Sequence, residues 1–102
     1  MNTYVVLERA RRHLFDIWEY TAKTRGLDAA DKLLDRLEAA FVKLGDSPGM
    51  GHWREDLLDQ RYKFWLVHPF LVSYRCDVKP IEIIAIVHGS RKLEAFFEEP
   101  IE

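Results

Sequence analysis

The chain has 102 residues, of which 48% are hydrophobic and 31% charged, with a formal net charge of −2. This length predicts a single domain over residues 1–102 with one core. The charge argues against a protein that coats nucleic acid by charge alone, since neutralising phosphates requires a basic excess. No apolar run approaches the ~18 residues of a membrane span and no secretory signal opens the chain, so we expect a cytoplasmic protein without membrane contact.

The metal-binding residue types argue against a bound metal or cofactor. Cys76 is the only cysteine, which excludes an internal disulfide and a cysteine-based zinc site. The four histidines lack the spacing of metal ligands. They are His13, His52, His68 and His88.

The first half of the chain predicts a short strand followed by two helices. The strand covers residues 3–7, and the first helix begins near Glu8 and is stopped by Gly26. Asp28 is expected to cap the second helix, whose apolar stripe closes at Gly45. Because so few residues separate them, the two helices must form an antiparallel hairpin.

The second half predicts an antiparallel meander. Turn residues over 46–51 lead through a polar connection to strands expected at 61–68, 70–77 and 81–88. A short terminal helix follows. The order predicts an α+β fold with the hairpin on one face of a twisted sheet. Strict alternation in the last strand places Ile81, Ile83, Ala85 and Val87 on one face, and Ile84, Ile86 and His88 on the other.

Several short motifs occur in an order that no generic fold rule demands. They are Ala10, Leu14, Ile17 and Tyr20 in the first helix, the Pro48 to Gly51 loop, Arg61, Tyr74-Arg75, Ile81-Glu82-Ile83, and His88-Gly89-Ser90-Arg91 with Leu93. In these positions the chain resembles the ParE/RelE superfamily of bacterial toxins from type II toxin–antitoxin modules, and within it the ParE (plasmid-stabilisation) branch. The resemblance covers nearly the whole chain. One departure is His13, where an aspartate is common in the family.

The ParE resemblance implies a toxin that inhibits DNA gyrase by binding, without chemistry of its own. The implied target-binding candidates are Arg75, His88 and Arg91. Two structural alternatives stay open: His88 caps the strand end, and Arg75 forms a cross-strand ion pair with Glu82 on the neighbouring strand.

A RelE-like alternative is an endoribonuclease that cuts messenger RNA on the ribosome. The candidate residues for this activity, on strands or strand ends that could converge, are Arg61, Lys63, Arg75, His88 and Arg91. Histidine is the side chain suited to proton transfer near neutral pH. However, no tyrosine follows Tyr74, whereas these nucleases often carry a catalytic one near the carboxyl end. A non-toxic binding module with the same fold is the third hypothesis.

The resemblance also implies protein partners. Such toxins are neutralised by a cognate antitoxin, often through a helix along the hairpin and a strand added to a sheet edge. Candidate antitoxin-binding residues are Trp53, Leu57, Leu58, Phe96 and Phe97, apolar groups in thinly covered segments. DNA gyrase, or the ribosome and messenger RNA, is the implied target. A homodimer or a toxin–antitoxin hetero-oligomer is the expected assembly.

Overall fold

Two long helices precede a three-stranded meander in the computed structural model, which describes residues 3–53 and 62–89. The elements are β1 (Tyr4–Val6), α1 (Glu8–Arg25), α2 (Leu27–Asp46), a 3₁₀ turn (Pro48–Met50), β2 (Tyr62–Val67), β3 (Phe70–Arg75) and β4 (Ile81–His88). This order confirms the predicted α+β class. The predicted terminal helix lies outside the described residues.

The helical hairpin bends at one residue. Gly26 has a φ of 98° and serves as both the C-cap of α1 and the N-cap of α2. Only glycine adopts this conformation readily. The prediction that Asp28 caps α2 is therefore wrong: Asp28 lies in the first turn, where the helix dipole favours a carboxylate. The second helix also continues one residue beyond Gly45.

The sheet has the strand order β1-β4-β3-β2 among the described residues. The β2–β3 and β3–β4 pairs are antiparallel, which confirms the meander, and β1 lies parallel to β4. Between the helices and the sheet, α2 residues such as Phe41 pack against Val72 and Tyr74. A second apolar cluster includes Phe64, Ile84 and Val87 and contains no residue of either helix.

A β-bulge changes the side-chain phase of β4. Ser73 pairs with Ala85 and Tyr74 with Ile83, so Ile84 is one extra residue. The prediction of strict alternation is wrong at this point, because Ile83 packs in the helix-side cluster whereas Ala85 belongs to the second cluster. His88 does share a face with Ile86, and that face is turned towards the helices.

Candidate functional site

The sheet places His88 far from Lys63 and Arg75, although the sequence suggested that these residues would converge. Arg75 pairs with Glu82 in the β3–β4 register and His88 pairs with Phe70. Five residue steps along β3 therefore lie between Arg75 and His88, or roughly 17 Å at the usual rise of a strand. The predicted convergence of these two residues is wrong. Arg61 and Arg91 lie outside the described residues.

We call the end of the sheet that carries Lys63, Tyr74 and Arg75 the clamped end. Tyr74 is fully buried there, and its hydroxyl donates a hydrogen bond to Pro48 O (2.6 Å) and accepts one from Gly51 N (3.0 Å). Burial raises the pKa of Tyr74 above its ordinary value of 10.0, although the Gly51 hydrogen bond opposes this shift. The hydroxyl therefore holds the loop against the sheet.

Lys63 contacts the same loop. Its Nζ lies 3.4 Å from Gly49 O and 4.6 Å from the centroid of the Trp53 ring, a cation–π contact. The next residue of β2, Phe64, exchanges two backbone hydrogen bonds with His52, of 2.8 and 2.9 Å. Trp53 remains 48% exposed. Lys63 thus helps to pack the segment that carries this antitoxin-binding candidate.

Arg75 forms a bidentate pair with a residue of its own turn. Its Nε lies 2.5 Å from Asp77 Oδ1 and its Nη2 lies 3.1 Å from Asp77 Oδ2. Such fork-to-carboxylate pairs fix the guanidinium plane. The register also places Arg75 opposite Glu82. A contact within the chain therefore orients this target-binding candidate.

We call the opposite end of the sheet, which carries Phe70 and His88, the open end. The His88 ring meets the Phe70 ring edge-on, with centroids 5.9 Å apart. Both line a cleft of about 630 Å³ that lies between the two helices and the sheet. The basic residue types lining the cleft are Arg25, Lys32, Arg36 and His88.

Arg25, Lys32 and Arg36 were not among the candidates from sequence. Lys32 and Arg36 lie one turn apart on α2, and the bend at Gly26 brings Arg25 back beside them. Their spacing on one helix face was visible in the sequence. The packing of that face against the end of β4 was not.

A groove on the helical hairpin is the second concave surface of interest. Its volume is about 340 Å³, and its apolar lining includes Leu14, Phe15, Trp18 and Leu34. Trp18 Nε1 donates a hydrogen bond to Asp31 Oδ1 (2.9 Å), which fixes its ring between the helices. Phe15 is 52% exposed. The groove therefore presents apolar surface between the two helices of the hairpin.

His13 ties α1 to β4. Its Nδ1 accepts a hydrogen bond from Ile86 N (3.1 Å), three residues beyond the last β4 residue that β1 pairs. The imidazole thus replaces a strand partner where β1 has ended. This contact requires an unprotonated Nδ1.

Neither a metal site nor a membrane span is present in the described part of the chain. Its His, Cys, Asp and Glu residues form no group of three that could hold a metal ion. Neither described helix is long and apolar enough to cross a bilayer. Cys76 is half-buried.

Comparison with known proteins agrees with the fold and with the motifs. A solved structure, the chromosomal ParDE TA system from P. aeruginosa, superposes with a TM-score of 0.71 at 20% identity, covering 83% of this chain and 92% of that chain. Toxin ParE1 of Caulobacter vibrioides is 32% identical over 95 residues, which are 93% of this chain and 97% of that protein. The family model for the ParE toxin of the type II toxin–antitoxin system parDE matches residues 4–93. The fold is that of the ParE/RelE toxins, as expected from sequence. This chain belongs to the ParE toxin family of type II toxin–antitoxin systems.

Proposed function

We propose that this ParE-family toxin inhibits DNA gyrase by binding, without chemistry of its own, and that its cognate antitoxin neutralises it. The separation of His88 from Lys63 and Arg75 carries the proposal. General acid–base catalysis requires a proton-transfer group within about 3 Å of the reacting atom, directly or through one water. The roughly 17 Å of strand between His88 and Arg75 supports this proposal over a nuclease site that would use both residues.

The target-binding candidates now differ in their surroundings. Arg75 is oriented by Asp77, which supports a scaffold role. His88 is exposed at the strand end, and Arg91 follows it by three residues in the sequence. We therefore propose His88 and Arg91 as the target-binding residues. Gyrase works on the chromosome, so the proposed place of action is the cytoplasm.

The antitoxin is proposed to use two surfaces. The hairpin groove fits the apolar face of a helix, with Phe15 as its most exposed aromatic side chain. The outer edge of β2 suits an added strand, because within the described residues only Phe64 is paired there, by His52. Trp53 lies beside that edge. Leu57, Leu58, Phe96 and Phe97 remain predicted contacts outside the described residues.

Expression without antitoxin tests the proposed target. We expect growth arrest with prompt induction of the DNA-damage response and intact messenger RNA. Arg75→Gln should remain toxic, whereas His88→Gln should be less toxic at equal abundance. Prompt cleavage of messenger RNA at codon-defined positions, with no damage response, would support the RelE-like nuclease and contradict the proposal.

Antitoxin affinity tests the two docking surfaces. Phe15→Asp and Trp53→Asp should each weaken the complex by well over ~1 kcal/mol, as expected for aromatic side chains that the antitoxin buries when it binds. Leu27→Asp is the matched control, because Leu27 is 63% exposed and lies outside the hairpin groove. Unchanged affinity in folded Phe15→Asp protein would remove the groove from the antitoxin interface.

A further inference from the structure

We propose that the cleft at the open end binds a nucleotide, with its phosphates on Arg25, Lys32 and Arg36 and its base beside Tyr20 and Phe70. This site is separate from the proposed antitoxin surfaces. The proposal also holds whatever the target of the toxin is, because nucleotide binding is measured on the purified chain alone.

The charge of the cleft favours an anion. Arg25, Lys32 and Arg36 line it, and none of its described lining residues is acidic. The whole chain carries a net charge of −2, so the sign in the cleft is opposite to that of the protein. A cleft lined by one sign of charge concentrates ligands of the other sign. Phosphate groups match this arrangement because guanidinium forks bind their oxygens in pairs.

Arg36 is already held in place for such a ligand. Its Nη2 donates a hydrogen bond to His68 O (3.0 Å), which anchors the end of the side chain to the turn between β2 and β3. A guanidinium carries five N–H donors, so one bond occupies a small part of its capacity. Lys32 lies one helical turn before Arg36, where two side chains can contact neighbouring phosphates.

The aromatic side chains and the size of the cleft favour a nucleotide over a simple anion. Tyr20 lines the cleft although it is 71% exposed, and Phe70 lies half-buried at the sheet end. Any nucleobase can stack on such rings, because every base has a flat aromatic face. The volume of about 630 Å³ lies within the ~300–1,000 Å³ typical of small-molecule sites. Phosphate alone would leave the aromatic part of the cleft unused.

Calorimetric titration of the purified chain with ADP tests the proposal. ADP should bind saturably, with one molecule per chain. Pyrophosphate and adenosine should each bind at least about tenfold more weakly, because each supplies only half of the contacts. No binding of ADP at millimolar concentration would overturn the proposal, as would equal affinity for ADP and pyrophosphate.

Variants locate the binding site. Lys32→Gln should weaken ADP binding by about tenfold or more, the effect of removing a charged hydrogen bond. Its matched control is Lys79→Gln, which makes the same charge change at an exposed residue outside the cleft, in the turn before β4. Arg36→Gln should act like Lys32→Gln, and Lys32 decides the case if loss of the His68 bond unfolds the Arg36 variant. Equal affinity of the Lys32 and Lys79 variants would place the ligand elsewhere and overturn the proposal.

Two further titrations separate the base from the phosphates and a free nucleotide from a chain. Tyr20→Leu should weaken ADP binding several-fold while leaving the weak pyrophosphate binding unchanged. A single-stranded oligothymidylate should bind no more tightly than ADP. If the oligonucleotide binds and ADP does not, the cleft recognises a nucleic-acid backbone and the nucleotide proposal is wrong.

Discussion

The two ends of the sheet carry similar side chains in different surroundings. At the clamped end, Lys63, Tyr74 and Arg75 contact the loop and turn of the chain itself. At the open end, Arg36 and His88 border a cleft between the helices and the sheet. Arg75 and Arg36 each have a hydrogen bond within the chain, but Arg36 also lines a cleft that a ligand can enter. The difference between the two ends therefore lies in the space beside the basic side chains, and not in the residue type.

The largest effect is expected at the clamped end, from Gly51→Ala. A Cβ at Gly51 would lie 2.7 Å from Cε1 and 2.9 Å from Cζ of Tyr74. Because Tyr74 is fully buried and its hydroxyl is hydrogen-bonded to the same loop, the ring cannot move away cheaply. We expect a loss of about 2–4 kcal/mol in the free energy of unfolding, measured by urea denaturation.

Gly49→Ala is the control for this substitution. A Cβ at Gly49 meets no atom within 4 Å, so its effect should stay below about 0.5 kcal/mol. Equal losses in the two variants would mean that loop flexibility, and not the contact with Tyr74, sets the stability of the clamped end.

Tyr74→Phe should cost about 1–3 kcal/mol. The substitution keeps the buried ring but removes the donor to Pro48 O and the acceptor for Gly51 N. Denaturation at neutral pH measures the loss. Tyr20→Phe is the control, because the Tyr20 side chain is largely exposed. A wild-type value for Tyr74→Phe would show that water replaces both hydrogen bonds.

The same hydroxyl predicts a loss of stability at alkaline pH. Since the pKa of Tyr74 is higher in the folded than in the unfolded chain, its contribution is complete below pH 10.0 and is lost as the pH rises through the folded-state pKa. Unfolding free energies should therefore fall above pH 10.0 more steeply for wild type than for Tyr74→Phe. Parallel curves would contradict the assignment.

His13→Ala tests the link between α1 and the open half of β4. The substitution leaves Ile86 N without its acceptor, and a lost hydrogen bond to a partly buried amide costs about 1–2 kcal/mol. Hydrogen exchange at Ile86 should rise together with the loss of stability. His68→Ala is the control, because the His68 side chain is exposed. Unchanged exchange at Ile86 would show that the amide has another acceptor.

The smallest effect is expected for Arg75→Gln. Its pair with Asp77 is partly exposed, so solvent screening should limit the loss to less than about 1 kcal/mol. The variant should fold, bind antitoxin and inhibit gyrase like wild type. Loss of inhibition in folded protein would return Arg75 to the target-binding surface.

Much of the fold was readable in the sequence, because local signals set it. Helical spacing and Gly26 fixed the hairpin, and the three strands predicted at 61–68, 70–77 and 81–88 match β2, β3 and β4 to within two residues. The bulge at Ile84 was not predictable, since a strand apolar on both faces gives no phase signal. The contact between His13 and Ile86 joins residues 73 positions apart and has no local signature.

The candidate site was less predictable than the fold. The sequence identified Arg75 and His88 as candidates, but it gave no evidence that they lie close together. The meander itself argues against this convergence. Neighbouring antiparallel strands have their C-terminal residues at opposite ends of the sheet, and Arg75 and His88 are the C-terminal residues of β3 and β4. The loop contacts of Lys63 and Tyr74 depend on how residues 48–53 return to the sheet, which composition does not reveal.

A supercoiling assay with purified toxin, DNA gyrase and relaxed plasmid tests the central claim most directly. The toxin should block supercoiling and accumulate cleaved plasmid in a dose-dependent manner, and addition of the cognate antitoxin should restore supercoiling. Arg75→Gln should match wild type and His88→Gln should be weaker. Full gyrase activity at a large excess of folded toxin, together with cleavage of messenger RNA on purified ribosomes, would contradict the account.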